Sequence, residues 1–296
     1  MTANQRGILA IVGCMAAYTV NDVLIKQILK TYPVGEAIFI RGLMSVLLIG
    51  AAAVVFGYAA QLRKAMSRRL ALRSVFDGLS TAGFIAALAH MRLADLAAVL
   101  QIAPLLITAL AAAFYRESVG WRRWSAVLVG FTGALLVIKP TPSAFDVWAV
   151  LGAFSALCAA LREIQTRLIE PQVPTVVIAF WGAAGITCFG VLLGAVEPWQ
   201  IVATADLIQI FVAALFVATA IFLMVLGFRA VDLSVVAPFR YSYLLTSTLG
   251  GYLVFGELPD GWSTVGAVLI VASGVYALHR ERVRRRELTG RAAPAA

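Results

Sequence analysis

The sequence predicts an all-α polytopic membrane protein: ten transmembrane helices arranged as two inverted five-helix repeats. Three observations carry this reading. Of 296 residues, 61% are hydrophobic and 13% charged, against roughly 45 to 50% and about 25% in soluble chains. Ten apolar windows fall near residues 7–28, 34–57, 70–90, 94–114, 121–139, 145–166, 174–196, 207–228, 232–255 and 261–279, each close to the roughly 20 residues a helix needs to cross hydrocarbon. The second half also repeats the first at an offset of 141 residues. The repeat preserves rare residues and not only apolar ones: Asp22 and Lys26 match Glu163 and Arg167, Pro33 matches Pro174, and Phe39 matches Phe180. After a slip to offset 137, the Arg-Leu-Ala-Asp run at 92–95 falls on Arg-Ala-Val-Asp at 229–232; Trp121 then matches Trp262 and Gly133 matches Gly274. An odd number of spans per copy makes the second enter the membrane from the opposite face. Residues 1–140 form the first repeat, 141–279 the second, and 280–296 a basic cytoplasmic tail read as disordered.

Taken in order, the elements carry their own marks. The first window is kept as a span and not a cleaved signal peptide, because Asn21, Asp22 and Lys26 interrupt the place where small residues at a cleavage site would follow. The second opens after Pro33 and holds Glu36 and Arg41, and the third holds Arg73 and Asp77. The fourth contains Gln101 and Pro104; the ninth contains Pro238, Arg240, Tyr241 and Tyr243, with Thr246, Ser247 and Thr248 beyond. Each proline removes a backbone hydrogen bond, and in lipid the freed carbonyl must find a partner among side chains, water or a ligand. Cys14, Cys158 and Cys188 lie inside apolar windows, so they read as small buried side chains and not as a disulfide framework or metal cluster. Small residues crowd the fifth and tenth windows (Ser125, Gly130 and Gly133; Gly266, Ser273 and Gly274), which permits close packing within one chain or across a homodimer.

Orientation follows from basic residues, which stay cytoplasmic in short loops. Seventeen lysines and arginines fall in the termini and loops of one side, against Lys26, Lys30, Arg92 and Lys139 on the other. Both termini are therefore expected in the cytoplasm, in a bacterial inner membrane. The net charge of +9 is accounted for without nucleic acid, since the basic tail suits anionic lipid headgroups.

A charge near the bilayer centre costs about 2.5 to 3.5 kcal/mol, so the few present should face one another or a water-filled cavity. Asp22 and Lys26, Arg73 and Asp77, and Glu163 and Arg167 are each four apart, the spacing of partners on one helix face. The repeat sends Asn21, Asp22 and Lys26 to one end and Glu163 and Arg167 to the other, as expected of two gates. Lys26, Arg162 and Arg167 are also open to a bland reading in which they snorkel to the interface or fix helix register. Arg41, Asp77 and Arg240 sit deeper and are expected to line a cavity. An arginine there can grip a carboxylate, and Tyr18, Trp181 and Tyr241 can stack on a planar substrate, with Gln101 beside them. Asp22, Asp77 and Glu163 are candidate proton sites, each free to take a proton when its cationic neighbour moves away.

These marks resemble the drug/metabolite transporter superfamily, in particular its ten-helix bacterial EamA-type members. The resemblance rests on the acid in Tyr115-Arg116-Glu117, its counterpart in Phe255-Gly256-Glu257-Leu258-Pro259-Asp260, the glycine-rich fifth and tenth spans, Arg41, and Ala237-Pro238-Phe239-Arg240-Tyr241. It implies a central cavity built by both halves and secondary transport of small metabolites by alternating access, amino acids or related compounds and export first. Uptake of a riboflavin-like vitamin or of S-adenosylmethionine is the alternative. Independently, no Gly-x4-Gly-Lys-Ser/Thr phosphate loop occurs, so this chain alone is not a nucleotide-driven pump. A passive channel stays open, and a membrane-embedded lipid-modifying enzyme is disfavoured by having only His90 and His279 and no metal motif. No cofactor, catalytic residue or metal is expected.

Overall fold

The computed structural model describes residues 3–64, 66–115, 121–138, 147–230 and 237–292. Each of the ten windows contains helix. These are α1 (Ala3–Ile28), α2 (Val34–Val55), α4 (Arg68–Leu88), α5 (Leu93–Leu100) with α6 (Ala103–Tyr115), α7 (Trp121–Ile138), α8 (Val147–Arg167), α9 (Thr175–Gly194) and α10 (Thr204–Ala230). The ninth span is a 3-10 segment, Ala237–Tyr241, that runs into α11 (Ser242–Phe255); the tenth is α12 (Gly261–Ala292), and a short helix, α3 (Ala59–Lys64), lies in the loop after α2. Among the described residues, seven helices are long and apolar enough to cross a membrane, and Trp124–Ile138 and Gly261–Ala277 are shorter apolar helices. The chain is an all-α polytopic membrane protein.

Local chemistry sets the boundaries. Pro33 and Pro174, equivalent by the repeat, both hold extended backbone at the N-caps of α2 and α9 (φ −59° and −63°), as a proline can where no backbone donor is required. Ser67 caps α4 by accepting from the Leu70 amide at 3.2 Å. Gly256 ends α11 in the left-handed region, φ +67°, which glycine enters without strain. The tail departs from expectation: α12 continues to Ala292, because a helix already nucleated by the packed 261–279 stretch extends at little cost through the Arg- and Glu-rich residues that follow.

The packing has an internal order. α1 lies along α10, and α4 along α8; α2 pairs with α9, and α7 with α12. Exchange of the two halves turns the first pair into the second and leaves the others in place. Glycines allow the closest approaches: an added Cβ on Gly133 would lie 2.6 Å from the Gly266 carbonyl oxygen, and one on Gly42 2.5 Å from the Thr187 hydroxyl. Gly130 packs likewise against Leu105 and Ser273, so the small residues considered for a homodimer contact are occupied within the chain. Cys14 and Cys158 are buried, but Cys188 is exposed on α9; it sits on a helix face that no other helix covers, which an apolar window alone does not reveal.

Candidate functional site

One span is broken, and the described part of another opens on a 3-10 segment at the equivalent place. Pro104 has no amide to donate to the Leu100 carbonyl, and α5 ends there. Gln101 and Ile102 instead bond to the Ala98 and Val99 carbonyls at 3.1 Å each, in the tighter three-residue pattern, before α6 resumes. At offset 137 this break falls on Ala237–Tyr241, the 3-10 segment of the ninth span. The two places meet: the Gln101 side-chain amide donates to the Arg240 carbonyl at 3.3 Å. Interrupted helices at corresponding positions of two repeats are where membrane carriers expose backbone polar groups to a ligand.

Polar side chains from both halves gather around this meeting point. The Asp77 carboxylate on α4 accepts from Arg73 Nη1 at 3.0 Å and from Arg162 Nη1 of α8 at 2.8 Å. Arg73 also reaches the Ile178 carbonyl of α9 at 3.2 Å, and Arg240 Nη1 donates to Glu163 at 3.1 Å. On α1, the Asn21 amide donates to Asp22 at 2.8 Å and accepts from Arg41 Nη1 at 3.2 Å. The second Asp22 oxygen takes the Tyr243 hydroxyl at 2.5 Å, and Thr19 meets Thr246 at 2.7 Å and Ser247 at 3.3 Å. Tyr18 lies between these groups, within electrostatic reach of Arg162, Asp77 and Arg240. Arg41 lies within reach of Asp22, Asp77 and Tyr18. It is 7% exposed, its Nε has no hydrogen-bond partner, and it forms no ion pair among the described residues.

A second polar cluster lies where α1 meets the 256–260 loop. Lys26 Nζ donates to both oxygens of Glu257, at 2.6 and 2.7 Å, and to the Met91 carbonyl at 2.9 Å. Arg92 bridges Asp95 at 2.6 Å and Asp260 at 3.1 Å. The left-handed turn at Gly256 makes this possible, since it folds the Glu257 amide back onto the Gly251 carbonyl at 3.2 Å and presents the carboxylate to α1.

Several sequence expectations are corrected. The spacing of Asp22 and Lys26 suggested a pair on one helix, but Lys26 turns to Glu257 and Asp22 to Tyr243 and Asn21, because other spans offer partners with better geometry. Glu163 accepts from Arg240; the Arg167 side chain, and with it the expected Glu163–Arg167 pair, lies outside the described residues, as do Glu117 and Asp232. Of the three i, i+4 pairs, Arg73 and Asp77 form theirs. Trp181 donates its indole N–H to the Leu62 carbonyl at 2.9 Å, which fastens the α3 loop, so that group is committed to the fold. Tyr241 packs toward Gly274 of α12, and Tyr243 bonds to Asp22. Sequence reasoning also underweighted Arg162, the second arginine on Asp77, and did not place Glu257 opposite Lys26.

Residues 5–139 match the EamA-like transporter family. The first half of the chain is thus similar to that family. Among its relatives is an S-adenosylmethionine uptake transporter of Rickettsia bellii, 26% identical over 60% of this chain and 61% of that one. A riboflavin transporter of Rhizobium johnstonii is 28% identical over 73% and 71%. A pseudopaline exporter of Pseudomonas aeruginosa is 28% identical over 91% of this chain and 94% of its own. The chain thus spans about three fifths of the length of the Rickettsia relative. One crystal structure superposes over 95% of this EamA-like chain and 98% of its own with a TM-score of 0.61 at 19% identity, which establishes a shared fold.

Proposed function

We propose that this EamA-like chain is a secondary carrier of small, carboxylate-bearing organic metabolites, moving them by alternating access between two inverted halves, residues 1–140 and 141–279. The observation that carries this reading is the meeting of the α5–α6 break with the 3-10 segment Ala237–Tyr241, at Gln101 and Arg240, inside a polar cluster drawn from both halves. Arg41, Asp77, Arg240 and Gln101 bind substrate, with Tyr18 beside them. Four arginines, Arg41, Arg73, Arg162 and Arg240, face three acids, Asp22, Asp77 and Glu163, so an anionic group balances the cluster. Arg41 carries a buried Nε with no hydrogen-bond partner, and a carboxylate matches its fork. Relatives named for S-adenosylmethionine uptake, riboflavin transport and pseudopaline export support an organic metabolite and leave both directions in view. Amino acids or close relatives, exported, remain the first assignment, and vitamin or S-adenosylmethionine uptake the second.

The Lys26–Glu257 and Arg92–Asp260 contacts act as the gate at one face, while Glu163, with its Arg240 partner, and Arg167 act at the other. The membrane is the bacterial inner membrane with both termini cytoplasmic, which places the first gate outside. Asp22, bonded to Asn21 and Tyr243, is the preferred proton site. The test is counterflow in proteoliposomes with labelled amino acids. Saturable exchange lost in Arg240→Ala at normal folded yield supports the carrier, and non-saturable flux indicates a channel. Asp22→Asn should flatten the dependence of exchange on external pH; an unchanged profile removes Asp22 from coupling.

A further inference from the structure

The two halves differ in how their fourth and fifth spans pack. In the first half the fourth and fifth spans pack together, through α5 and α6 against α7. Among the described residues of the second half, the main contact between the equivalent helices is where Ala237–Tyr241 meets α12, and α11 then splays away from α12 toward the 256–260 loop. The result is a V-shaped cleft of about 620 Å³ floored by α5. Its walls include Leu245, Leu249 and Val268, which are 73%, 57% and 61% exposed and face outward from the bundle. From Leu244 to Tyr252 the α11 wall is about 12 Å long at 1.5 Å per residue, close to the depth of one leaflet's hydrocarbon, about 15 Å.

Polarity changes along the cleft. The deep end is apolar, whereas the mouth beside the 256–260 loop holds Asp95, Ser263 and Thr264. Asp95 spends one oxygen on Arg92 at 2.6 Å, and its other oxygen is buried with no hydrogen-bond partner. Ser263, 1% exposed, has a hydroxyl in the same condition. Unpartnered buried polar atoms are costly, and a carboxylate oxygen lacks only a donor. Asp95 and Asp260 both bond to Arg92 at this mouth, and a carboxylate oxygen takes its strongest hydrogen bond from a charged donor, so the missing donor is best supplied by a cation.

We propose that the α11–α12 cleft is a phospholipid site: one acyl chain lies between Leu249 and Val268, and a primary-ammonium headgroup donates to Asp95 Oδ1 and Ser263 Oγ. This site is independent of what the chain carries. Native mass spectrometry of the purified full chain tests it, after exchange into micelles containing phosphatidylethanolamine, phosphatidylcholine or phosphatidylglycerol with identical chains. The wild type should retain phosphatidylethanolamine about tenfold better than phosphatidylcholine, the effect of one charge-assisted bond. Asp95→Asn and Ser263→Ala should each lose that preference, and Ala267→Phe, which fills the cleft, should lose the bound lipid; Leu192→Phe on the lipid-facing side of α9 should change nothing. Thermal unfolding confirms that each variant is folded, and the two polar variants carry the test if the phenylalanine variant is not. Equal retention of the three lipids, or a preference that survives Asp95→Asn and Ser263→Ala, overturns the proposal.

Discussion

Asp77 offers the most quantitative test of how the polar cluster is held together. Its carboxylate joins α4 to α8 by accepting from Arg73 at 3.0 Å and Arg162 at 2.8 Å. Asp77→Asn preserves the shape but removes the charge, and an amide can accept at only one of its two ends. Each lost charge-assisted bond is worth about 1.5 to 3 kcal/mol, and an uncompensated buried charge after loss of one partner costs about 3 to 5 kcal/mol. The Asp77 side chain is 10% exposed and that of Arg162 31%, so screening on the Arg162 side places the net loss near the bottom of that range, about 3 kcal/mol. Equilibrium unfolding of the purified protein in mixed micelles measures it. A double-mutant cycle with Arg162→Gln isolates the pair from general damage and should return a coupling of about 1.5 kcal/mol or more. A coupling near zero would show that the 2.8 Å contact contributes nothing and would remove Asp77 as the strut between the halves.

Other substitutions address separate parts of the account. Gly133→Leu should destabilise the folded state by about 1 to 3 kcal/mol, because the added Cβ alone would conflict with the Gly266 carbonyl; Gly261→Ala, with nothing within 4 Å, is the control, and equal stabilities would contradict the packing. Arg41→Ala should abolish exchange of a carboxylate-bearing substrate while Arg41→Lys retains part of it, read as counterflow with each acid and its neutral amide; equal exchange of acid and amide by the wild type would refute carboxylate recognition. Glu257→Gln should weaken the closed end formed with Lys26, raising the labelling of Thr246→Cys from the 256–260 face, and unchanged labelling would assign that pair to structure alone.

The helices and their order were legible in the sequence because hydrocarbon demands long apolar windows, and Pro33, Pro174 and Pro104 mark boundaries by chemistry that acts locally. Asp77, Arg41 and Arg240 stood out because buried charge is expensive wherever it occurs. Their partners were less legible. Helix spacing proposes neighbours within one span, whereas Asp22 bonds to Tyr243, 221 residues away, and Lys26 to Glu257, 231 residues away; only tertiary packing decides such pairs. Tyr241 and Tyr243, two residues apart where the 3-10 segment runs into α11, meet different neighbours, Gly274 and Asp22, which residue type alone does not reveal. The cleft between α11 and α12 left no sequence signal, since it arises where two similar halves pack differently.

Alternating access itself is tested most directly by labelling one cavity position from both faces. In a chain with Cys14, Cys158 and Cys188 replaced by serine, Thr246→Cys should react with a membrane-impermeant thiol reagent added on either side. Crosslinking Lys26→Cys to Glu257→Cys should then abolish labelling from the 256–260 face and preserve it from the opposite face. Labelling from both faces in the crosslinked protein would mean a continuous pore and would contradict the carrier.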